Sequence, residues 1–122
     1  MGNDVTFKEF VQFLLTPTIS QQEKGQYEQH WERFHNLCHP CVIKYNFIGK
    51  YESMNRDADD VLKMIGANFT FPRNAPDSGK TKKMLHRHFK SLPKDLIQKL
   101  YKIYEKDFEM FDYKIEDALT SN

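Results

Sequence analysis

Apolar residues recur at helical spacing near the beginning of the chain and again near its end. Near the beginning, the pattern predicts a helix over 7–15, with Thr6 as its N-cap and Glu9 completing a capping box. Near the end, it predicts a longer helix over 93–111, because Pro93 suits the first turn of a helix. We expect five residues to form the buried stripe of this last helix: Leu96, Leu100, Tyr104, Phe108 and Phe111.

The middle of the chain carries a single strand pattern. Residues 42–51 are rich in β-branched and aromatic side chains, which predicts a β-strand. Both faces of this strand are partly apolar, as is typical of a parallel sheet that is covered on both sides. A single strand cannot satisfy its own backbone, so its partner strands must come from elsewhere. Helices are also predicted over 30–37, 57–65 and 80–90, and loops over 18–28 and 68–79.

Composition and charge narrow the class of protein. The 122 residues fit one domain with a modest core, and the 14% share of aromatic residues argues against a disordered chain. The net charge of +1 provides no field for coating nucleic acid without specificity. No apolar run approaches the roughly 20 residues that a membrane span needs. We therefore expect residues 1–122 to form a single partial domain of the α/β class, helix-rich in this segment.

Two cysteines lie close together, and their chemistry has more than one interpretation. Cys38 and Cys41 flank a turn at Pro40, with His35 and His39 nearby. The ligand types suit zinc, but all four lie within seven residues, whereas zinc sites normally join two separated pairs. The alternative is a structural disulfide, either between the two cysteines or with partners upstream, which an oxidising compartment would favour.

Two further features are visible on the predicted surface. Asn68-Phe69-Thr70 is a sequon for N-glycosylation in a predicted loop, and together with paired cysteines it favours the secretory lumen. Region 80–90 is the one local positive patch, and it is interpreted either as a solvated helix face or as a docking surface for an acidic partner. The basic residues of that patch are Lys80, Lys82, Lys83, His86, Arg87, His88 and Lys90.

No catalytic group can be assigned from the residues alone. The chain lacks the glycine-rich phosphate-binding motifs and the common hydrolase and zinc-protease motifs. Its acidic residues do not stand out as an acid–base pair. Asp57, Asp59 and Asp60 are interpreted as the N-terminal cluster of a helix, and Asp107 and Glu109 as part of the polar face of the last helix.

Several blocks of the sequence, in this order and spacing, resemble a known family. They resemble the C-terminal third of Golgi carbohydrate sulfotransferases of the chondroitin and dermatan 4-O-sulfotransferase type. The blocks are residues 5–11, His30-Trp31, residues 37–41, residues 45–54, residues 68–72 and residues 100–113.

The resemblance implies a fold and an activity. Such enzymes transfer a sulfuryl group from 3′-phosphoadenosine 5′-phosphosulfate to a glycan hydroxyl, and they work on the lumenal side of the Golgi membrane. Their fold is a P-loop-like α/β domain, in which helices flank a parallel sheet. Both donor-binding motifs of the family lie upstream of the part seen here. The resemblance therefore assigns no catalytic, cofactor-binding or metal-binding residue to this chain, and we expect the chain alone to be an inactive fragment.

The resemblance also suggests which residues lie near an acceptor. Ligands of parallel sheets bind beyond the carboxyl ends of the strands, which makes Lys50 and Glu52 candidate acceptor contacts, unless they form an ion pair that fixes the next helix. Lys82, Lys83 and Arg87 are candidates for binding a glycosaminoglycan-like acceptor. No nucleic acid partner is expected. We expect contact with a membrane only through an anchor that lies outside this chain. The competing hypothesis is a glycan-binding module without enzymatic activity.

Overall fold

Helices account for nearly all of the regular structure of the protein. The computed structural model describes residues 4–22, 25–73 and 80–119. A 3₁₀ turn at Tyr51–Ser53 leads directly into the fourth helix. The helices in these ranges are α1 (Phe7–Leu14), α2 (Pro17–Ser20), α3 (Phe34–Cys38), α4 (Met54–Met64), α5 (Lys80–Lys90), α6 (Lys94–Met110) and α7 (Ile115–Leu119).

The first helix confirms the capping box. The backbone N–H of Glu9 donates to the hydroxyl of Thr6, and the Glu9 carboxylate accepts the N–H of Thr6 at 2.8 Å. The carboxylate also accepts the Thr6 hydroxyl at 2.6 Å, and this bond, followed by that from the Thr6 N–H, holds the pKa of Glu9 below its usual value. Val11 and Leu14 are buried on the inner face. Local sequence therefore determines where this helix begins and which side it buries.

The loop predicted over 18–28 is partly wrong. Pro17 follows the end of α1 and is also the first residue of α2, because its fixed φ suits a first helical position. Ser20 is buried, and its hydroxyl donates to the carbonyls of Leu14 and Thr16. The Tyr27 hydroxyl also donates to the carbonyl of Leu14, at 3.2 Å. Polar side chains in this segment thus satisfy the exposed carbonyl end of α1.

The core lies where α1, α6 and the turn before α6 meet. Val11, Leu92 and Ile97 are its buried members. Beside them is an apolar cavity of about 250 Å³. The half-buried residues packed against the core are Phe7, Leu15, Phe89, Leu96, Leu100 and Ile115.

The strand predicted over 42–51 does not form. In the described ranges the structure has one isolated antiparallel bridge, between Gln21 and Tyr27, and no strand, so helix richness is confirmed and a parallel sheet is not. Residues 41–49 are all exposed, Val42 by 80%. Among the described residues, no N–H from 44 to 49 donates a hydrogen bond. The physical reason is that a β-prone segment forms a strand only beside another strand, and the described residues provide none.

Candidate functional site

A buried carboxylate joins the end of the long helix to the cysteine-containing segment. Asp107 of α6 is 6% exposed. Its carboxylate accepts the backbone N–H of Phe34 at 2.6 Å and that of His35 at 3.0 Å. It also lies 2.6 Å from Nδ1 of the His35 ring. Asp107 therefore caps the N-terminus of α3 from a position more than seventy residues away in sequence.

This contact corrects the interpretation of Asp107 as part of a polar face. It also explains why α3 starts at Phe34 rather than near residue 30, since its cap comes from α6. One turn earlier on α6, the Tyr104 hydroxyl donates to the carbonyl of Trp31 at 2.6 Å. Burial, the largest cause, raises the pKa of Tyr104 to about 12. The two side chains fix segment 31–35 against α6.

A second carboxylate organises the approach to the same segment. Glu32 is 8% exposed and accepts hydrogen bonds from the Tyr27 N–H and from the Asn36 amide. Nε of Arg33 donates to it at 2.9 Å. Burial opposes the charge of Glu32, but these hydrogen bonds outweigh burial and lower its pKa. Arg33 also lies over the Tyr27 ring. The carboxylates of Glu32 and Asp107 therefore both have structural roles in this region.

The predicted turn around the two cysteines is confirmed. Cys38 ends α3, and His39 then takes a left-handed conformation with a φ of 47°. The carbonyl of His39 accepts the backbone N–H of Val42 at 2.9 Å. Cys38 and Cys41 are both free thiols in the structure, so the expected disulfide is not formed there.

The zinc interpretation finds no support in the described ranges. His35 already uses Nδ1 on Asp107. Within residues 4–22, 25–73 and 80–119, no group of three or more His, Cys, Asp or Glu side chains converges on a point where a metal could bind.

Lys50 and Glu52 lie together, and both contact the chain just after α6. Nζ of Lys50 donates to the backbone carbonyl of Asp112 at 3.0 Å and lies 4.9 Å from the centre of the Tyr113 ring. The Tyr113 hydroxyl donates to the Glu52 carboxylate at 3.1 Å. Burial, followed by this hydrogen bond, raises the pKa of Tyr113. Both candidates are therefore engaged in holding two segments of the chain together.

Asp57, a side chain of α4, accepts hydrogen bonds from residues just before the helix. The Asp57 carboxylate accepts the Ser53 hydroxyl at 2.5 Å and the Lys50 N–H at 3.0 Å. The Ser53 hydroxyl, then the Lys50 N–H, are the largest causes that lower the pKa of Asp57. A Cβ on Gly49 would lie 3.3 Å from the Cβ of Asp57, so glycine allows this close approach. An internal carboxylate thus accepts one backbone N–H and one hydroxyl just before α4.

Neither cavity described here resembles a donor site. The cavity beside the core is lined by side chains of α1, α5, α6 and α7, and none of them is a cation. An open groove of about 530 Å³ runs between residues 47–51 and α4, with mostly apolar lining and the engaged Lys50 at its edge. A phosphosulfate needs several donors or cations, which the lining of these two cavities does not offer.

The basic candidates of α5 are exposed, but they do not form one cluster. Lys83 and Arg87 are four residues apart and share a helix face. Lys82 is rotated by about 100° from Lys83 around the helix axis. Among the described residues, no hydrogen bond or ion pair joins α5 to Lys50 or Glu52. The candidates on α5 thus make no direct polar contact with Lys50 or Glu52 in that part of the chain.

The sequon is accessible. Asn68 is exposed in a bend that follows α4, beyond the left-handed Gly66 that ends the helix. Phe69 beside it is 65% exposed. Asn68 as a glycosylation site stays a prediction. Among the helices described, none is both long and apolar enough to pass through a bilayer.

Sequence reasoning missed three residues of these sites. Asp107 gave no local signal, because its partners are seventy residues away. Asp112 and Tyr113 follow a helix end, where a positive φ at Asp112 turns the chain back toward Lys50. The left-handed turn was the one feature with a local signal, since Asp tolerates that conformation better than most residues.

Comparison with known proteins identifies the family. The sequence profile of the Sulfotransferase family matches residues 1–114. The chain is 35% identical over 120 residues to carbohydrate sulfotransferase 11 of Rattus norvegicus, covering 97% of this chain and 34% of that protein. It is 35% identical over 122 residues to carbohydrate sulfotransferase 14 of Danio rerio, covering 98% and 32%. It is 38% identical over 118 residues to carbohydrate sulfotransferase 8 of Homo sapiens, covering 92% and 27%.

The alignments cover nearly all of this chain but only a minor part of each relative. The chain spans about a third of the length of the curated relatives that it matches. No solved structure gives a significant match. Because the family profile covers nearly the whole sequence, the chain belongs to the Sulfotransferase family.

Proposed function

We propose that the chain is the C-terminal part of a carbohydrate sulfotransferase. The complete polypeptide transfers a sulfuryl group from 3′-phosphoadenosine 5′-phosphosulfate to a hydroxyl of a chondroitin-like or dermatan-like glycan. One observation carries this proposal: nearly all of the chain aligns, at 35–38% identity, with proteins named carbohydrate sulfotransferase.

The proposal divides the work between this chain and residues outside it. In the proposed enzyme, an upstream base accepts the proton of the attacking hydroxyl, and upstream cations stabilise the transferring group. This division is in keeping with the two cavities described above, neither of which is lined by a cluster of cations. We propose that this chain supports the acceptor-binding side of the enzyme, with α6 holding segment 31–35 and the turn after α6 holding Lys50.

The exposed segment 41–49 also supports a larger domain. Ile48 is 56% exposed and Val42 80%, an unfavourable arrangement for apolar side chains in a complete protein. Each such side chain gains about 1.5–3 kcal/mol when it is buried. In the proposed enzyme, a strand of the preceding part of the domain pairs with this segment and covers it.

We propose that the enzyme works on the lumenal side of the Golgi membrane, with its anchor outside this chain. The exposed sequon at Asn68 suits that compartment, and the compartment would favour oxidation of Cys38 and Cys41. Peptide mapping of secreted material without reduction is expected to find both cysteines oxidised and Asn68 glycosylated. Free thiols and an unmodified Asn68 would contradict this location.

The transfer reaction is tested on the polypeptide that contains this chain together with the residues its transcript encodes upstream. That protein is incubated with donor labelled in the sulfuryl group and with desulfated chondroitin or desulfated dermatan. The expected result is label in the polysaccharide, with none from the 122-residue chain alone. A longer protein that is folded yet leaves both polysaccharides unlabelled would overturn the proposal.

The second candidate function is a glycan-binding module without transfer. It is favoured by the basic face of α5, whose cations are exposed. A module of this kind unfolds in one cooperative transition as the isolated chain and binds chondroitin in a salt-sensitive way. Labelled polysaccharide in the transfer assay would exclude it.

A further inference from the structure

The basic residues of α5 form a stripe along one side of the helix. Lys80, Lys83, Arg87 and Lys90 are spaced by three, four and three residues. At 3.6 residues per turn these positions fall within an arc of about 80° and extend over about 15 Å. All four are exposed. Phe89, on the other side of α5, packs against Phe7, so the stripe faces away from the core.

The cations of the stripe are not neutralised within the protein as described. The sequence from 80 to 90 contains no Asp or Glu. In the part of the chain that the structure describes, none of the four stripe residues forms an ion pair or hydrogen bond with another side chain. Their charge is therefore available to an external anion.

At the start of α5, the arrangement opposes the stability of the helix, although Arg87 and Lys90 lie in the last turn, where the dipole favours positive charge. Lys80, Lys82 and Lys83 occupy the first described turn of α5, where the helix dipole disfavours positive charge. Like charges three or four residues apart, as at Lys83 and Arg87, repel each other. A sequence that breaks local rules without a structural gain marks a site under functional demand.

We propose that this stripe is a subsite for the anionic groups of a linear acidic polysaccharide, at sugars beyond the one that reacts. The proposal rests on the proposed function, which supplies a glycan as the occupant. Carboxylate and sulfate groups spaced along the polymer match a row of cations, and the planar guanidinium of Arg87 suits two-oxygen contacts. The subsite makes binding depend on the length and sulfation of the polymer.

A nucleic acid is the other linear polyanion, and the features of α5 do not favour it. Proteins that bind single strands combine cations with exposed aromatic platforms on which bases stack. The one aromatic residue of α5, Phe89, is half-buried against Phe7. Single-stranded RNA therefore serves as the competing probe in the experiment.

The experiment measures binding by the 122-residue chain to immobilised chondroitin sulfate over a range of salt concentrations. One variant carries Lys83→Ala, Arg87→Ala and Lys90→Ala. The matched control carries Lys99→Ala, Lys102→Ala and Lys106→Ala on α6, which removes the same net charge from exposed positions. We expect the first variant to raise Kd roughly tenfold and to lower its salt dependence, while the control changes Kd by less than about twofold.

Each alternative outcome overturns the proposal. Equal weakening in the two triple variants would show that net charge alone drives binding. Equal affinity for single-stranded RNA would remove the glycan as the specific occupant. Failure of the chain to bind chondroitin sulfate in low salt would show that the stripe is not a polysaccharide subsite. Because this assay uses no donor, binding without transfer would leave the subsite standing while the proposed function fails.

A second pair of variants separates loss of binding from loss of folding. Lys80→Glu places a carboxylate in the first described turn of α5, and Lys94→Glu does so in the first turn of α6. Both changes improve the match with the helix dipole, so we expect the thermal midpoint to stay constant or to rise by about 2–4 °C. Only Lys80→Glu is expected to weaken binding to chondroitin sulfate. Equal binding by the two variants would contradict the subsite.

Discussion

Helices α5 and α6 are neighbours in sequence, and they use charge in opposite ways. On α6, Lys99 pairs with Asp95 and Lys102 with Glu105, and the buried Asp107 caps another helix. On α5, cations follow one another without a single carboxylate. Several charges of α6 are thus engaged in the fold, whereas the four cations of the α5 stripe face outward. Predicted effects on stability therefore fall mainly on α6, and effects on binding on α5.

The largest loss of stability is expected from Asp107→Ala. It leaves the N–H groups of Phe34 and His35 without their acceptor in a partly buried place, at a cost of about 3 kcal/mol. Urea unfolding followed by circular dichroism measures the change. Glu109→Ala, an exposed change on the same helix, is the control and should cost less than about 0.5 kcal/mol. Similar costs for both would mean that the cap is not formed.

A smaller loss is expected from Leu100→Ala or Phe108→Ala. Both side chains are half-buried, and both line the apolar cavity beside the core. Truncation should cost about 2 kcal/mol, the lower end for such changes, because part of each side chain already contacts solvent. Equilibrium unfolding of each variant checks the value. A negligible cost would show that this stripe of α6 is not packed in the isolated chain.

Tyr104→Phe probes α6 through alkaline pH. The hydrogen bond to the Trp31 carbonyl is lost, at about 1 kcal/mol near neutral pH. Tyrosine ionises near pH 10 in the unfolded chain, but the pKa of Tyr104 in the fold is about 12. The unfolded state therefore releases its proton first, and stability falls as pH rises from 10 through 12.

Tyr104→Phe should remove the part of the stability loss at alkaline pH that comes from ionisation of Tyr104. Tyr101→Phe, the loss of a tyrosine hydroxyl elsewhere on the same helix, is the control. Stability curves of the two variants measured from pH 9 to 12 make the comparison. Identical slopes would contradict the burial of the Tyr104 hydroxyl.

The smallest effect on stability is expected from Lys83→Ala, Arg87→Ala and Lys90→Ala together. Surface changes without partners usually stay within about 0.5 kcal/mol, and alanine has a higher helix propensity than lysine or arginine. Urea midpoints of the triple variant and the wild-type chain test this. A cost comparable to that of Asp107→Ala would place these side chains in the fold rather than on a binding surface.

Features encoded by neighbouring residues were predictable. The capping box at Thr6, the bounds of α5 and the left-handed Gly66 after α4 all follow from side chains within a few positions. The long helix was expected over 93–111 and is observed as Lys94–Met110. In these places, local propensity and tertiary packing favour the same structure.

Features that depend on distant partners were not predictable. The start of α3 depends on Asp107, and the position of Lys50 depends on the turn at Asp112. Segment 42–51 has the composition of a strand, but pairing needs a neighbour that the described residues do not provide. The helix α7 at Ile115–Leu119 was missed because it is short and lacks a clear signal.

The division of work between this chain and the rest of a sulfotransferase can be tested most directly with 3′-phosphoadenosine 5′-phosphate, the product left by the donor. The titration is done by calorimetry on the 122-residue chain and on the longer polypeptide that contains it. The account predicts one-to-one binding by the longer polypeptide and no measurable binding by the chain alone. Tight one-to-one binding by the 122 residues would contradict it.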